Sequence, residues 1–400
     1  MREGLLTSAR SEIAVVEAVR EELQAPIDHS AVFESREHTF VPLGDVESLN
    51  KRDFEWSMEQ VRNSFVSELG IRSLLDSAEV LLDRKPRRAE ALYSLASELV
   101  AKLPSTPAPL AHSLRGLAQK GRANALRMSG WYSEALEALV VSEREFEAAR
   151  YCRRELGYAR YCRAAVLFKM ERWADADRAV HSARSLLEAE HDRAGVVNCD
   201  ILRACITLER GDLDRAREMF LGLRKTVEAR RDYRRLADVW MNLVICDLRR
   251  RYTFGAGHWL GRAVRKFREL GLASEVTRGR WCGATLALAQ GQRPRALREF
   301  RAAAEEFEEL GMPMDAAFVK LDLLGELVEE KKWREAEPIA LSLADLFLKA
   351  GVGPSAATAL EYLRDAVKRR SADRAVVNHV TRHIRRTEVF PAEVFTKGPA

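Results

Sequence analysis

One alanine recurs at a nearly constant interval through the centre and the C-terminal half of the chain. Six short breaks between helical patterns carry it, in the runs SGWYSEA, ERWADA, RGDLDRA, RYTFGA, GQRPRA and KKWREA. These repeat alanines are Ala135, Ala176, Ala216, Ala256, Ala296 and Ala336, spaced by 41, 40, 40, 40 and 40 residues. A fixed period of this length is the signature of a repeat architecture, in which each unit packs against its neighbours.

Two further columns keep register with the repeat alanines. Four residues later the chain has apolar residues, which lie one turn further along the same helical face: Leu139, Val180, Phe220, Leu260, Phe300 and Ala340. Twelve residues earlier it has mostly small ones: Ala123, Ala164, Ala204, Val244, Ala284 and Leu324. Small residues on both sides of a short break let two helices approach closely, so each unit is predicted to be an antiparallel helical hairpin.

Glycines mark the end of several units. Gly271, Gly311 and Gly351 stand fifteen residues after a repeat alanine, each directly after a helical pattern. Glycine enters positive φ without a steric penalty and therefore terminates helices. Each unit is predicted to run as helix A, tight turn, helix B and glycine stop, with helices of roughly 16 to 18 residues and about 25 Å.

The columns resemble tetratricopeptide repeats. The resemblance rests on the pairs Ala216 with Phe220 and Ala296 with Phe300, on the run Trp240-x-x-Leu243-Val244, and on the aromatic turn residues Tyr132, Trp173 and Trp333, which we interpret as packing residues. It covers residues 62–386 and is similar in layout to the repeat region of bacterial regulatory proteins. It implies an all-α fold, a right-handed superhelical solenoid with A helices on its concave face. The period of 40 rather than 34 would also suit HEAT-like hairpins.

The chain divides into three predicted regions. Residues 1–60 form a variable N-terminal segment with one helix, from Thr7 to Gln24, followed by a stretch without period. Residues 61–390 form the helical repeat domain, whose last helices cap the array, and residues 391–400 form a tail. With 47% hydrophobic and 31% charged residues, the 400-residue chain is too apolar to be disordered.

Motifs for catalysis, cofactors and metals are missing from the sequence. It contains no GxxxxGK[ST], GxGxxG after a strand, HExxH or GxSxG. His379 and His383 stand four residues apart without a further ligand at matching spacing, and we interpret them as an exposed pair. We therefore expect no enzyme, no cofactor and no metal. No run approaches a membrane span and the start lacks a signal-peptide core, so the expected location is the cytoplasm.

A polar column of helix A suggests a binding surface. Its cations stand thirteen or sixteen residues before the repeat alanines, on what would be one surface of the stack: Arg122, Arg160, Arg163, Arg203, Arg280 and Lys320. Guanidinium groups match carboxylates, so this ladder predicts a protein or acidic peptide as partner. The alternative interpretation is a solvated helix face.

The predicted function is a peptide- or protein-binding adaptor in bacterial regulation or assembly. An alternative follows from charge: residues 224–299 carry 18 Lys and Arg against 7 Asp and Glu, and such a basic block can bind nucleic acid. The acidic segment 1–60, with 6 against 13, could instead fold onto that block. The identity of the partner and the oligomeric state do not follow from the sequence.

Overall fold

The computed structural model describes residues 32–34, 40–42, 51–63, 67–83, 85–103, 107–349 and 354–387. Within these ranges the chain forms seventeen helices and one pair of short strands. The strands β1 (Val32–Glu34) and β2 (Phe40–Pro42) pair antiparallel, with Phe33 opposite Val41. The helices are α1 (Lys51–Asn63), α2 (Glu68–Leu81), α3 (Pro86–Val100), α4 (Ala108–Met128), α5 (Tyr132–Ala149), α6 (Arg153–Lys169), α7 (Trp173–Ala189), α8 (Arg193–Glu209), α9 (Leu213–Ala229), α10 (Tyr233–Arg249), α11 (Thr253–Glu269), α12 (Ala273–Ala289), α13 (Arg293–Glu309), α14 (Pro313–Glu329), α15 (Trp333–Lys349), α16 (Pro354–Lys368) and α17 (Arg374–Thr387).

Helices α2 to α17 form eight antiparallel hairpins stacked in chain order, each helix packing against the next. The even-numbered helices are the A helices and the odd-numbered ones the B helices. From α6 to α15 every helix has 17 residues and begins 20 residues after the one before, so the 40-residue repeat consists of two equal halves. The predicted all-α hairpin solenoid and its helix lengths are confirmed.

The repeat alanines are the tightest packing points of the hairpins. All six are fully buried, as are all six residues twelve positions earlier. Of the apolar residues four positions later, Leu260 alone is only half-buried. Five hydrophobic clusters, each spanning adjacent hairpins, continue from Phe54 to Ile384. Because a single hairpin exposes its apolar stripe, this continuous core exists only through stacking.

The turns between helices share one backbone conformation. At every twentieth position from 171 to 331 the residue has positive φ, whether the turn lies inside a hairpin or between hairpins. Gly271 (φ 70°) and Gly311 (φ 69°) confirm the predicted glycine stops, while Gly351 lies outside the described residues. Five of these nine positions carry Glu, His, Arg or Lys instead, so the glycine pattern showed only part of the turn geometry.

The region before the repeats contains structure that was not predicted. The strand pair lies in the stretch without period, and β1 contacts α2. Helix α1 crosses residue 60, with Phe54 and Val61 buried against α2 and α3. The predicted helix from Thr7 to Gln24 lies outside the described residues, and the division into three regions stays a prediction.

The superhelix curves enough for its first two hairpins to touch the sixth and seventh. The carboxylate of Asp83, after α2, accepts hydrogen bonds from Ser274 at the start of α12. The turn at Gly130 lies against α14, since a Cβ atom added to Gly130 would be 3.1 Å from Cβ of Met314. Met128 of α4 packs against both the first and the last hydrophobic cluster. The A helices therefore enclose an inner channel rather than an open groove.

Candidate functional site

The A helices face one another across the inside of the superhelix. Along the stack each A helix from α2 to α12 contacts the next A helix. Polar side chains join them: Arg235 Nε of α10 donates to Asn198 Oδ1 of α8 (2.6 Å), and Trp281 Nε1 of α12 donates to Asp322 Oδ2 of α14 (2.8 Å). These four residues stand 14, 15, 18 or 21 positions before a repeat alanine. The equivalent positions of the other repeats form columns that line the inner channel.

The inner channel contains a cavity of about 170 Å³ where the third hairpin faces the sixth and seventh. Half of its lining is aromatic, and the rest is mainly charged: Tyr132, Phe168, Lys169, Glu171, Trp173, Glu209, Trp281, Met314, Asp315 and Phe318. The turn from α6 to α7 supplies one wall, and α12 and α14 supply the opposite one. The cavity therefore offers aromatic rings and charged groups to the same ligand.

Lys169 and Glu171 are the free charges of this cavity. Among the described residues neither side chain forms an ion pair; the side chain of Lys169 is exposed to the channel, although many protein atoms of the surrounding superhelix lie near it. Desolvation lowers the pKa of Lys169; among the nearby charges, Asp315 opposes that shift and Arg278 adds to it. A positive and a negative group therefore flank the aromatic lining without a partner in the described part of the chain.

The other two carboxylates of the cavity are already neutralised. Arg249 holds Glu209 through two hydrogen bonds of 2.7 and 2.8 Å, and Nε of Arg278 lies 3.6 Å from Oδ1 of Asp315. These contacts join neighbouring A helices along the cavity, α10 to α8 and α12 to α14.

Five of the six cations of the predicted ladder pair with acidic residues on B helices. Arg122 Nε lies 3.0 Å from Glu90, Arg163 Nε lies 3.2 Å from Glu143, and Arg280 bonds Glu299 at 3.0 Å. Arg160 lies between Glu143 and Glu147, and Lys320 lies 2.6 Å from Glu308. Arg203 is exposed and forms no ion pair among the described residues.

The ladder and the channel lie on different sides of the same helices. One residue along an α-helix rotates the side chain by about 100°. The columns 13 and 16 positions before the alanine therefore face the B helices, whereas those 14 and 18 positions before it face the channel. Sequence reasoning missed the channel columns because each mixes residue types, as in Tyr158, Asn198, Asp238, Arg278 and Phe318.

The structure changes the interpretation of the aromatic turn residues and of the histidine pair. Tyr132 and Trp173 line the cavity as well as packing in the core, whereas Trp333 packs only against the last cluster among the described contacts. His383 is 7% exposed, so the pair with His379 is not the exposed one expected. Within the described ranges no three His, Cys, Asp or Glu residues gather as metal ligands.

None of the described helices is long and apolar enough to cross a membrane.

The two arginine clusters of the basic block 224–299 are separated in the structure. Residues 230–235 and 249–251 lie at opposite ends of α10, about 25 Å apart. Several of its arginines are neutralised locally, Arg235 by Asp232 and Arg250 by Asp214 (both 2.6 Å). A ligand on the whole block would have to span the length of the helix.

The fold defines a helical-hairpin repeat protein with an inner channel. A scan against protein-family models found no match, and a search of curated proteins found none either. Similar solved structures include aspartyl phosphate phosphatase F from Bacillus subtilis, at 14% identity over 87% of this chain and 92% of that chain, with a TM-score of 0.47. Another is NprR in complex with its cognate peptide NprX, at 15% identity over 69% and 80%, with a TM-score of 0.44. A third is the STAND protein with a tetratricopeptide repeat sensor from Pyrococcus horikoshii, at 12% identity over 87% and 59%, with a TM-score of 0.43.

Proposed function

We propose that the chain is a regulatory adaptor that binds a peptide or a protein segment in its inner channel. The observation that carries the proposal is the cavity with its five aromatic residues and its two free charges, Lys169 and Glu171. Drug-sized pockets measure about 300–1,000 Å³, so a cavity of about 170 Å³ suits one anchor side chain of a longer ligand. An apolar side chain of the ligand would contact the aromatic rings, and charged residues beside it in the ligand would pair with Lys169 and Glu171.

The charges supply direction and selectivity. The ammonium of Lys169 would pair with an acidic residue of the ligand, and the carboxylate of Glu171 with a basic one. Both charges lie inside the channel, where the surrounding protein reduces screening relative to the outer surface. A ligand with the opposite order of charges would bring like charges together and bind less tightly.

Photocrosslinking tests the proposal for a partner of any identity. A benzoylphenylalanine in place of Phe168 should crosslink a defined partner segment in cells, whereas the same group in place of Phe254, which is 79% exposed, should not. A synthetic peptide of that segment should bind the full chain at least tenfold more weakly after Trp281→Ala, because buried aromatic anchors dominate binding energy.

Charge exchange tests the selectivity. The double variant Lys169→Glu/Glu171→Lys should prefer a peptide whose two charges are likewise exchanged. Equal binding of the original peptide to the wild-type chain, to Trp281→Ala and to the double variant would disprove binding in the cavity.

The ladder stays a separate proposal for the same function. Arg203 is its one member without an ion pair among the described residues, so a partner on that surface would have to bind Arg203 first. Arg203→Glu should then reduce partner recovery, and Arg163→Glu should act mainly on stability because it separates Arg163 from Glu143. If Arg203→Glu leaves recovery unchanged while the cavity variants abolish it, the channel is the binding site and the ladder is not.

A further inference from the structure

Three successive turns between hairpins carry a concentration of exposed arginine. They are the turns before α6, α8 and α10, and they lie along one edge of the stack because every turn from a B helix to an A helix falls on that edge. We call this surface the basic edge; its arginines are Arg150, Arg153, Arg193, Arg230, Arg231 and Arg234, all exposed. It also presents Tyr151 and Tyr233, which are 37% and 50% exposed.

Polar contacts between neighbouring turns join the three into one surface. Arg153 Nε lies 3.8 Å from Glu190, which connects the first turn to the second. Arg230 donates to the backbone oxygen of Arg193 at 3.5 Å, which connects the second to the third. The basic edge is therefore continuous over three hairpins, and only its last part belongs to the basic block recognised in the sequence.

The charges of the basic edge are largely free. Among the described residues no carboxylate lies within 4 Å of the guanidinium groups of Arg150, Arg193, Arg230 or Arg231. The exposed acids at the ends of the neighbouring B helices bind other arginines instead: Glu147 with Arg160, Glu188 with Arg184 and Glu228 with Arg224. The edge thus keeps a local positive potential although the whole chain has a net charge of only +5.

Each of these turns has one left-handed position, as do the turns on the opposite edge of the stack. Their left-handed positions carry Arg150 (φ 62°), His191 (φ 54°) and Arg231 (φ 56°), where the turns at 271 and 311 carry glycine. A side chain in this conformation costs roughly 1–2 kcal/mol relative to glycine. Arg251 and Lys331 on the opposite edge have the same conformation, so the free charges and the exposed rings, and not the backbone, distinguish the basic edge.

We propose that the basic edge binds single-stranded nucleic acid. Arginine forks contact phosphate oxygens, and the exposed rings of Tyr151 and Tyr233 stack on unpaired bases. Lys266, whose Nζ lies 4.9 Å from the centre of the Tyr233 ring, pairs with Glu269 and so adds no free charge to the basic edge. A duplex would leave the tyrosines without bases to stack on, so the surface favours a single strand.

Fluorescence anisotropy with a labelled 12-nucleotide RNA or DNA and the full-length chain tests the proposal. Four phosphate contacts predict a salt slope of about −2.8, so binding should weaken about fiftyfold between 50 and 200 mM salt. The variant Arg150→Glu/Arg231→Glu should bind at least tenfold more weakly. The variant Tyr151→Leu/Tyr233→Leu should bind more weakly with an unchanged salt slope.

A matched control comes from the opposite edge of the stack. Arg251 and Lys331 are exposed, have positive φ and form no ion pair among the described residues. Arg251→Glu/Lys331→Glu therefore makes the same change of charge and should leave binding near wild type. No binding at 50 mM salt, tighter binding of a 12-base-pair duplex, or an equal loss in the control would overturn the proposal. Because the basic edge lies outside the channel, its variants should not alter peptide binding in the cavity.

Discussion

The carboxylate of Asp83 accepts two hydrogen bonds from Ser274, one from the backbone nitrogen at 3.3 Å and one from the hydroxyl, although 191 residues separate them. Ser274 lies in the first turn of α12, where backbone N–H groups have no partner within the helix. Asp83 therefore caps α12 from the other end of the array and joins the first hairpin to the sixth.

Removal of this cap should both destabilise and open the superhelix. Asp83→Ala leaves the start of α12 without its carboxylate and should lower the free energy of unfolding by about 1 kcal/mol. Amide exchange should increase at residues 273–277 and at 129–132, because the contact between Gly130 and Met314 depends on the same closure. Hydrogen-exchange mass spectrometry with urea denaturation measures both effects.

A local cap serves as the control for this change. Asp212 accepts a hydrogen bond from the backbone of Arg215 within its own turn (3.2 Å), so Asp212→Ala should cost similar stability and increase exchange only at the start of α9. The opposite result, in which Asp83→Ala changes exchange only at residues 273–277, would show that other contacts close the channel.

Two helical glycines test how closely the two helices of a hairpin pack. A Cβ on Gly116 of α4 would lie 2.6 Å from the buried ring of Phe146, so Gly116→Ala should destabilise the chain by about 1–3 kcal/mol. Gly222 in the middle of α9 has open space around the same position, so Gly222→Ala should stabilise by about 0.5–1 kcal/mol. Equal shifts in the urea midpoint for both variants would contradict the close approach of α4 and α5.

The repeat columns predict the hairpins well because they record contacts within and between neighbouring units. Ala216 and Ala204 are buried for the same local reason in every repeat, and periodicity shows that reason directly. The curvature of the stack depends instead on small rotations summed over several hairpins. No local pattern indicates that Asp83 meets Ser274 or that Phe168 and Phe318 share a cavity.

Sequence periodicity also fails to indicate the residues of the candidate site. Identical residues at a fixed spacing favoured the arginine ladder, but regularity also results from repeated ion pairs such as Arg160 with Glu143. The position of Lys169 changes in charge along the array, since Glu209, Arg249, Ala289 and Glu329 occupy it in the next four repeats. A binding site whose residues differ between repeats produces no periodic pattern in the sequence.

Substitutions in the turns should show how much a side chain in the left-handed conformation lowers the free energy of unfolding. His191→Gly relieves the penalty of a side chain at φ 54° and should raise the free energy of unfolding by about 1 kcal/mol. Gly291→Ala, at φ 74° with no atom within 4 Å of the added carbon, should lower it by a similar amount through the backbone alone. Thermal and urea unfolding of both variants measures the effect, and two shifts of the same sign would rule out this origin.

Asp238 makes the stability of the chain depend on pH. Burial raises its pKa from 3.8 to about 6, and Arg234, which lies 3.5 Å away, opposes the shift. Because the folded chain then holds a proton that the unfolded chain has released, the free energy of unfolding should fall as pH rises from about 4 to about 6 and level off above. Asp238→Asn has no such proton, so the wild type should lose about 1–2 kcal/mol relative to this variant between pH 4.5 and 7.5. Arg234→Gln removes the opposing charge and should move the midpoint of that loss to higher pH, whereas parallel curves for the wild type and Asp238→Asn would show that Asp238 is ionised throughout.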